Sequence, residues 1–242
     1  MNFLRKKKYL EYHFRDDYWN KNPKSISIDD ILVAATPKSS CWWSNLKSNA
    51  YGFKNHISYI KDAQKKELKG GKPEEYLEST ATAKTCPSIL SVLTNSYLVK
   101  SPADVVITID NKGGFRWRST NKLVEILSHH TKQFITEKGN IFEGKMNLKF
   151  ALQVSIRAPN VPWLFLHPTF HNNPFFSVIN GPIDGKYTNS QQLNINVMVD
   201  MPKDDEPVSY CIKSGDVLCY LWFTEKVSLR QTEEDFETAS VK

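Results

Sequence analysis

Two histidines in one aromatic, proline-rich segment are the first candidates for chemistry in this sequence. His167 and His171 are four residues apart within residues 157–176. On a helix such a pair would face one way and could share a zinc or iron ion. Pro168 disfavours a helix at His167, and no nearby Asp or Glu completes a set of three ligands. We therefore predict an extended loop that holds no metal, and keep the two histidines as the residues a metal would use.

Other combinations of nucleophile and base lack the pattern that catalysis requires. His129 and His130 would point about 100° apart on a helix, so at most one of them would face the core. The sequence has no G-x-S-x-G motif, and Cys41 and Cys86 have no base beside them. The four cysteines include no CxxC pair, so we expect reduced thiols in a cytosol, without a disulfide framework or a zinc site.

A turn around Asp184 is the most informative segment for function. A carboxylate held by a tight, glycine-containing turn has a fixed orientation and can take a proton from water. The sequence Gly-Pro-Ile-Asp-Gly-Lys-Tyr at residues 181–187 resembles the Gly-Val-Ile-Asp-x-x-Tyr motif of the dUTPase and dCTP-deaminase superfamily. Residues 212–221 resemble the strand that follows in that family, which reads Gly-Asp-Arg-Ile-Ala-Gln-Leu. The resemblance covers residues 181–221.

The resemblance implies a role for each matching residue. Asp184 would activate a water for attack on the α-phosphate, and Tyr187 would pack beneath the sugar. The backbone around Gly181 and Ile183 would read the pyrimidine, and Mg²⁺ would be required only for this activity. The sequence departs from the family because Pro182 lacks a backbone N–H, and because there is neither an Arg-Ser-Gly phosphate motif nor a glycine-rich closing segment.

A second resemblance covers about residues 80–226. The resemblance rests on Cys86-Pro, Asp104, Trp117, the Pro-Asn-Val-Pro-Trp segment, Gly-Pro-Ile-Asp and Ile-Lys-Ser-Gly-Asp216. This stretch resembles a family encoded by tailed phages and marine metagenomes, to which no reaction is assigned. It implies a β-rich cytosolic protein from a viral or environmental source.

Hydrophobic periodicity predicts a mainly-β (α+β) fold with a sandwich or jelly-roll-like body. Period-two or β-branched runs with turn residues between them are typical of short strands. Helical spacing predicts one helix at residues 57–68 and another at 121–134, the second packing Leu123, Val124, Leu127 and His130 on the body. Glycine turns follow at 111–114 and 213–216. The predicted strands are 97–100, 105–109, 115–117, 148–156, 193–199, 209–212 and 217–223.

Composition divides the chain into three parts and suggests a partner. We expect an irregular, basic segment at 1–80 that wraps a β-sandwich at 81–230, and a disordered tail at 231–242. Large apolar side chains on a soluble chain usually meet a partner, so we predict a homo-oligomer or a complex with a phage or host protein. The expected contact residues are Trp42, Trp43, Trp163, Phe165 and Phe175.

Charge and hydropathy exclude some partners. The net charge of +6 arises within residues 1–75, which hold 15 Lys and Arg against 9 Asp and Glu. Nucleic acid is thus possible, but a solvated helix face explains the interleaved charges better, and sequence-specific binding motifs are missing. No apolar run approaches the roughly 20 residues that cross a bilayer. The sequence favours a non-catalytic assembly or binding protein of the cytosol, with a dUTPase-related nucleotide hydrolase or binder as the alternative.

Overall fold

The computed structural model describes residues 7–14, 27–35, 92, 94–127, 144–159, 161–168, 175–183 and 191–232. The chain divides into two compact units, Met1–Val33 with Ser96–Lys242, and Ala34–Asn95. Almost all described residues belong to the first unit.

Fourteen strands and one short helix lie wholly within the described residues. The helix, α1, is Ile28–Ile31, and the Ser27 hydroxyl caps it by accepting a hydrogen bond from the Asp29 N–H at 3.1 Å. The strands are β1 Tyr9–Phe14, β2 Leu32–Ala34, β3 Ser96–Lys100, β4 Val105–Ile109, β5 Phe115–Ser119, β6 Val124–Leu127, β7 Lys145–Arg157, β8 Trp163–Leu166, β9 Phe176–Val178, β10 Gly181–Ile183, β11 Gln191–Asp200, β12 Val208–Ile212, β13 Val217–Phe223 and β14 Ser228–Gln231.

The strands form three sheets. The six-stranded sheet has the order β14-β1-β7-β11-β9, with β6 also paired to β7. The five-stranded sheet has the order β10-β8-β13-β3-β2, and the three-stranded sheet has the order β12-β4-β5. In the first of these, β1 and β14 run parallel, whereas β7 is antiparallel to β1, β6 and β11. The fold is therefore mainly β and sandwich-like, as the sequence predicts.

One cluster of buried apolar side chains takes members from all three sheets. Strand β4 shows how period two builds it, because Val105, Ile107 and Ile109 are buried while the residues between them are partly exposed. Strand β7 is buried along most of its thirteen residues, since it lies in the middle of its sheet. Burial of these β-branched and aromatic side chains is the main source of stability.

All seven predicted strands are present, and the predicted turns at 111–114 and 213–216 connect strands, whereas the turn predicted at 184–185 lies outside the described residues. Asp110 begins the turn between β4 and β5, where its carboxylate oxygen Oδ1 accepts hydrogen bonds from the N–H groups of Lys112 at 2.9 Å and Gly114 at 2.7 Å. Gly113 has a φ of 81° in this turn, and Gly215 has a φ of 89° in the turn before β13. Glycine adopts this left-handed conformation without the steric cost that a side chain brings.

The predicted helix at 121–134 is wrong over its described residues. Val124–Leu127 is the strand β6, which buries Val124 and Ile126 and exposes Glu125. Backbone pairing with the middle of β7 outweighs a helical spacing that also fits this short segment. Residues 128–134, and the helix predicted at 57–68, lie outside the described residues.

The irregular N-terminal segment and the disordered tail each contain ordered residues that the sequence did not predict. Within 1–80, β1 joins the six-stranded sheet and β2 joins the five-stranded sheet. At the start of the predicted tail, Gln231 is the last residue of β14 and pairs with Tyr12 of β1. The three-part division of the chain otherwise remains a prediction.

Candidate functional site

A buried carboxylate with two arginines lies where β1, β7 and β14 meet. Glu11 is only 4% exposed. Its Oε2 accepts hydrogen bonds from the Nε of Arg157 at 2.8 Å and the Nη2 at 2.6 Å, and its Oε1 accepts one from Arg230. Burial alone would raise the pKa of the Glu11 carboxyl, but the bonds and charges of the two arginines outweigh it and hold that pKa below its usual value. Glu11 is thus an ionised cross-link between strands, and a poor general base near neutral pH.

His167 follows β8 and also has a structural role. The ring Nδ1 of His167 accepts a hydrogen bond from the backbone N–H of Val178 at 3.3 Å. The backbone N–H of His167 donates to Oδ1 of Asn180 at 3.1 Å. Burial lowers the pKa of the imidazole, which favours the neutral form. Because Nδ1 accepts a hydrogen bond, the neutral ring carries its proton on Nε2. A metal could bind Nε2 only if that proton left this nitrogen. His171 lies outside the described residues.

Metal ligands do not cluster in the part of the chain that the structure describes. No three His, Cys, Asp or Glu side chains there lie close enough to share an ion. Cys211 is an exposed free thiol and Cys219 a buried one. Burial raises the pKa of the Cys219 thiol, so that thiol stays protonated.

The segment that resembles the dUTPase motif begins as an edge strand. Gly181 in β10 pairs with Phe165 of β8, and Ile183 pairs with Trp163. Asp184 and Tyr187, the residues with the implied chemical roles, lie outside the described residues. The structure thus describes the backbone at two of the four candidate positions, Gly181 and Ile183.

The aromatic residues predicted to contact a partner are covered by the chain itself where they are described. Trp163 is 3% exposed and Phe165 is 8% exposed, with their ring centroids 5.3 Å apart in an edge-on contact. Phe175 is half-buried and stacks on Tyr210 at 4.6 Å. The exposure expected for Trp163 and Phe165 is wrong, because alternation along β8 turns both rings toward the core. Trp42 and Trp43 lie outside the described residues.

The outer face of the three-stranded sheet carries a group of side chains that sequence reasoning missed. Arg116, Thr108 and Ser209 lie opposite one another across β5, β4 and β12, and the two hydroxyl oxygens are 2.8 Å apart. A second row contains Arg118, Val106 and Cys211. We call these six residues the arginine face. The alternation in Phe-Arg-Trp-Arg-Ser was the available signal, since it turns both arginines to one side of a strand.

Comparison with known proteins gives a weak resemblance to phage dUTPases. No family model matches the chain, and neither does any curated protein. Among solved structures, the dUTPase of phage phi11 of S. aureus is 14% identical with a TM-score of 0.25, over 46% of this chain and 97% of that one. A mutant dUTPase of Staphylococcus bacteriophage 80alpha is 15% identical with a TM-score of 0.27, over 48% and 99%. The family of tailed phages and marine metagenomes finds no support among these matches.

The described residues also contain no helix that is both long and apolar enough to span a bilayer.

Proposed function

We propose that this chain is a non-catalytic, phage-type β-sandwich protein that assembles with itself, or with a phage or host protein, in the cytosol. The observation that supports this most directly is the edge strand β12. Its sequence, Val-Ser-Tyr-Cys-Ile, has no charge, and Val208, Ser209 and Cys211 are exposed. Within the described part of the chain, β12 pairs with β4 alone, so its other edge offers backbone N–H and C=O groups to a further strand.

The two edges of the three-stranded sheet differ in a way that favours β12 as the contact. Proteins protect exposed edges from pairing with charged side chains, prolines or bulges. Strand β5, at the opposite edge, has Arg116 and Arg118, whereas β12 has none of these protective features. An added strand would gain main-chain hydrogen bonds and an apolar contact at Val208, which is 38% exposed.

The use of ionisable groups inside the fold supports a binding role over catalysis. Glu11, the buried carboxylate, is neutralised by two arginines, and the His167 ring is bound to backbone. Asp110 and Asp216 accept hydrogen bonds from backbone N–H groups in turns. Such contacts position the chain, and they leave these groups without the reactive geometry that proton transfer needs.

Sedimentation velocity of matched variants tests the assembly contact. The wild-type protein is expected to form dimers or larger species at tens of micromolar, roughly the range of modest interfaces. Val208→Lys places a charge at the β12 edge and should shift the protein to monomer. Ile179→Lys is the control, because Ile179 is 37% exposed and follows β9 of another sheet. Wild-type protein that remains monomeric throughout, and binds no phage or host protein through β12, would contradict the proposal.

The alternative function is a dUTPase-related nucleotide hydrolase or binder with Asp184 as the base. Its support is the Gly-Pro-Ile-Asp sequence and the ladder between β10 and β8, which anchors the residue directly before Asp184. Tyr187 would hold the sugar, and Mg²⁺ would accompany the nucleotide. A thermal-shift screen of nucleotides with Mg²⁺ separates the two functions. Stabilisation by dUTP, with hydrolysis that is lost in Asp184→Asn, would favour the alternative, and the absence of any shift would count against it.

A further inference from the structure

We infer that the arginine face binds single-stranded nucleic acid, with Arg116 and Arg118 holding successive phosphates. This goes beyond the proposed function and does not depend on pairing at the β12 edge. Sequence reasoning considered nucleic acid only through the lysines of residues 1–75, and the arginine face is a different surface.

The two guanidinium groups are available to a ligand. Arg116 and Arg118 are exposed on the same side of β5, and their positions are roughly 7 Å apart because a strand rises about 3.3 Å per residue. Neither has a hydrogen bond or an ion pair with any residue in the described part of the chain, in contrast to Arg157 and Arg230. Two positive charges along one strand suit a ligand whose negative charges repeat regularly. Each guanidinium group can donate two parallel hydrogen bonds to the oxygens of one phosphate.

Polar groups extend the site across the sheet. The Thr108 and Ser209 hydroxyls continue the row that begins at Arg116, and hydroxyl groups commonly contact phosphate and sugar oxygens. The carboxylate of Asp110 borders a depression shared with Arg116 and Thr108. Its Oδ1 is already bound by two backbone N–H groups of the turn, which partly neutralise it toward a ligand.

The open shape of the surface favours an extended single strand over a small phosphate compound. The depression is shallow and open, and it is lined by both arginines, Val106, Thr108, Ser209 and Trp117. A small phosphate compound would need an enclosed pocket, whereas a polymer can lie across an open face. Trp117 is 37% exposed, but it belongs to the row of Ile107 and Tyr210, so alternation turns its side chain to the face opposite the two arginines. The phosphates of a single strand are therefore the groups that the arginine face would bind.

Fluorescence anisotropy with labelled oligothymidylate tests the inference on the full chain. Arg116→Ala/Arg118→Ala should weaken binding at least about tenfold at low salt, and should reduce the slope of log K against log salt by about 1.4 for two lost phosphate contacts. Lys203→Ala/Lys226→Ala removes the same charge from exposed positions elsewhere and should leave binding within about twofold of wild type. Trp117→Ala changes the opposite face of β5 and should likewise leave binding within about twofold of wild type.

Competitors distinguish the ligand, and thermal melts confirm that each variant is folded. Unlabelled oligothymidylate should displace the probe, whereas polyglutamate and inorganic phosphate at equal charge should not. The inference is overturned if the double arginine variant binds as the wild type does, or if polyglutamate competes as well as the oligonucleotide. Val208→Lys should still bind the probe, so failure of this inference can be told apart from failure of the assembly proposal.

Discussion

At the scale of single residues, Glu11 shows how burial and charge act together. A carboxylate that is 4% exposed would be costly if unpaired, but Arg157 and Arg230 bind both of its oxygens. Arg230 also lies over the Tyr9 ring at 4.3 Å, which further fixes the geometry. The network joins three neighbouring strands, so its loss should be felt in the stability of the whole six-stranded sheet.

Glu11→Gln should lower the free energy of unfolding by about 2 kcal/mol. This is below the usual cost of breaking a buried pair, because the side chains of Arg157 and Arg230 are 25% and 52% exposed and can be rehydrated. Glu125→Gln, at an exposed position of β6, is the matched control and should change stability by less than about 0.5 kcal/mol. Urea denaturation measures the free energy of unfolding of both variants. Equal midpoints for Glu11→Gln and Glu125→Gln would contradict the structural role of Glu11.

Acid should remove the stabilisation that Glu11 provides. Its pKa is lowered in the folded state, so its contribution is complete above the ordinary glutamate value near 4.5 and is lost as the pH falls through the lower folded value. The stability difference between wild type and Glu11→Gln should therefore be constant at neutral pH and shrink below about pH 4.5. Urea titrations at a series of pH values check this, and a difference that grows on acidification would show that the sign is wrong.

These residue contacts could not be predicted from the sequence. Glu11 and Arg157 are 146 positions apart, so only the pairing of β1 with β7 brings them together. The burial of Trp163 and Phe165 had a local signal in the alternation of β8, but the prolines nearby concealed it. His167 was recognised as a polar residue of interest, and its acceptor role depends on a backbone N–H of the next strand.

At the scale of elements, the stability of variants in β6 distinguishes a strand from the predicted helix. The strand buries Ile126, which is 1% exposed, and leaves Leu127 partly exposed, whereas the predicted helix would have packed Leu127 on the core. Ile126→Ala should cost about 3 kcal/mol by leaving a cavity, and Leu127→Ala about 1 kcal/mol. Chemical denaturation compares them. A larger loss of stability in Leu127→Ala than in Ile126→Ala would instead favour the predicted helix.

The sequence predicted elements well where periodicity was long or turn residues were specific. The alternating β4 and the apolar run of β13 were found, as were the turns at Asp110 and Gly215, because glycine supplies a positive φ there. The short strands β9 and β10 were missed, since three residues are too few to show a period. Their positions follow from pairing with distant strands.

At the scale of the whole molecule, the sandwich-like class was predictable but the surfaces that matter for function were not. Thr108 and Ser209 are 101 positions apart, and the arginine face exists only because β12, β4 and β5 form one sheet. The exposed edge of β12 likewise depends on the strand order. Sequence reasoning identified strands at Val105–Ile109 and near Val208, yet it could not assign them to edges or to the centre of a sheet.

Hydrolysis of dUTP in the presence of Mg²⁺ is the most direct test of a binding protein without catalysis. We predict that the wild-type protein releases no pyrophosphate above the level of buffer, and that Asp184→Asn behaves identically. An Asp in a turn of this kind would then affect stability only, by about 1 kcal/mol. Turnover by the wild type that falls about 100-fold or more in Asp184→Asn, the scale of a lost general base, would contradict the account.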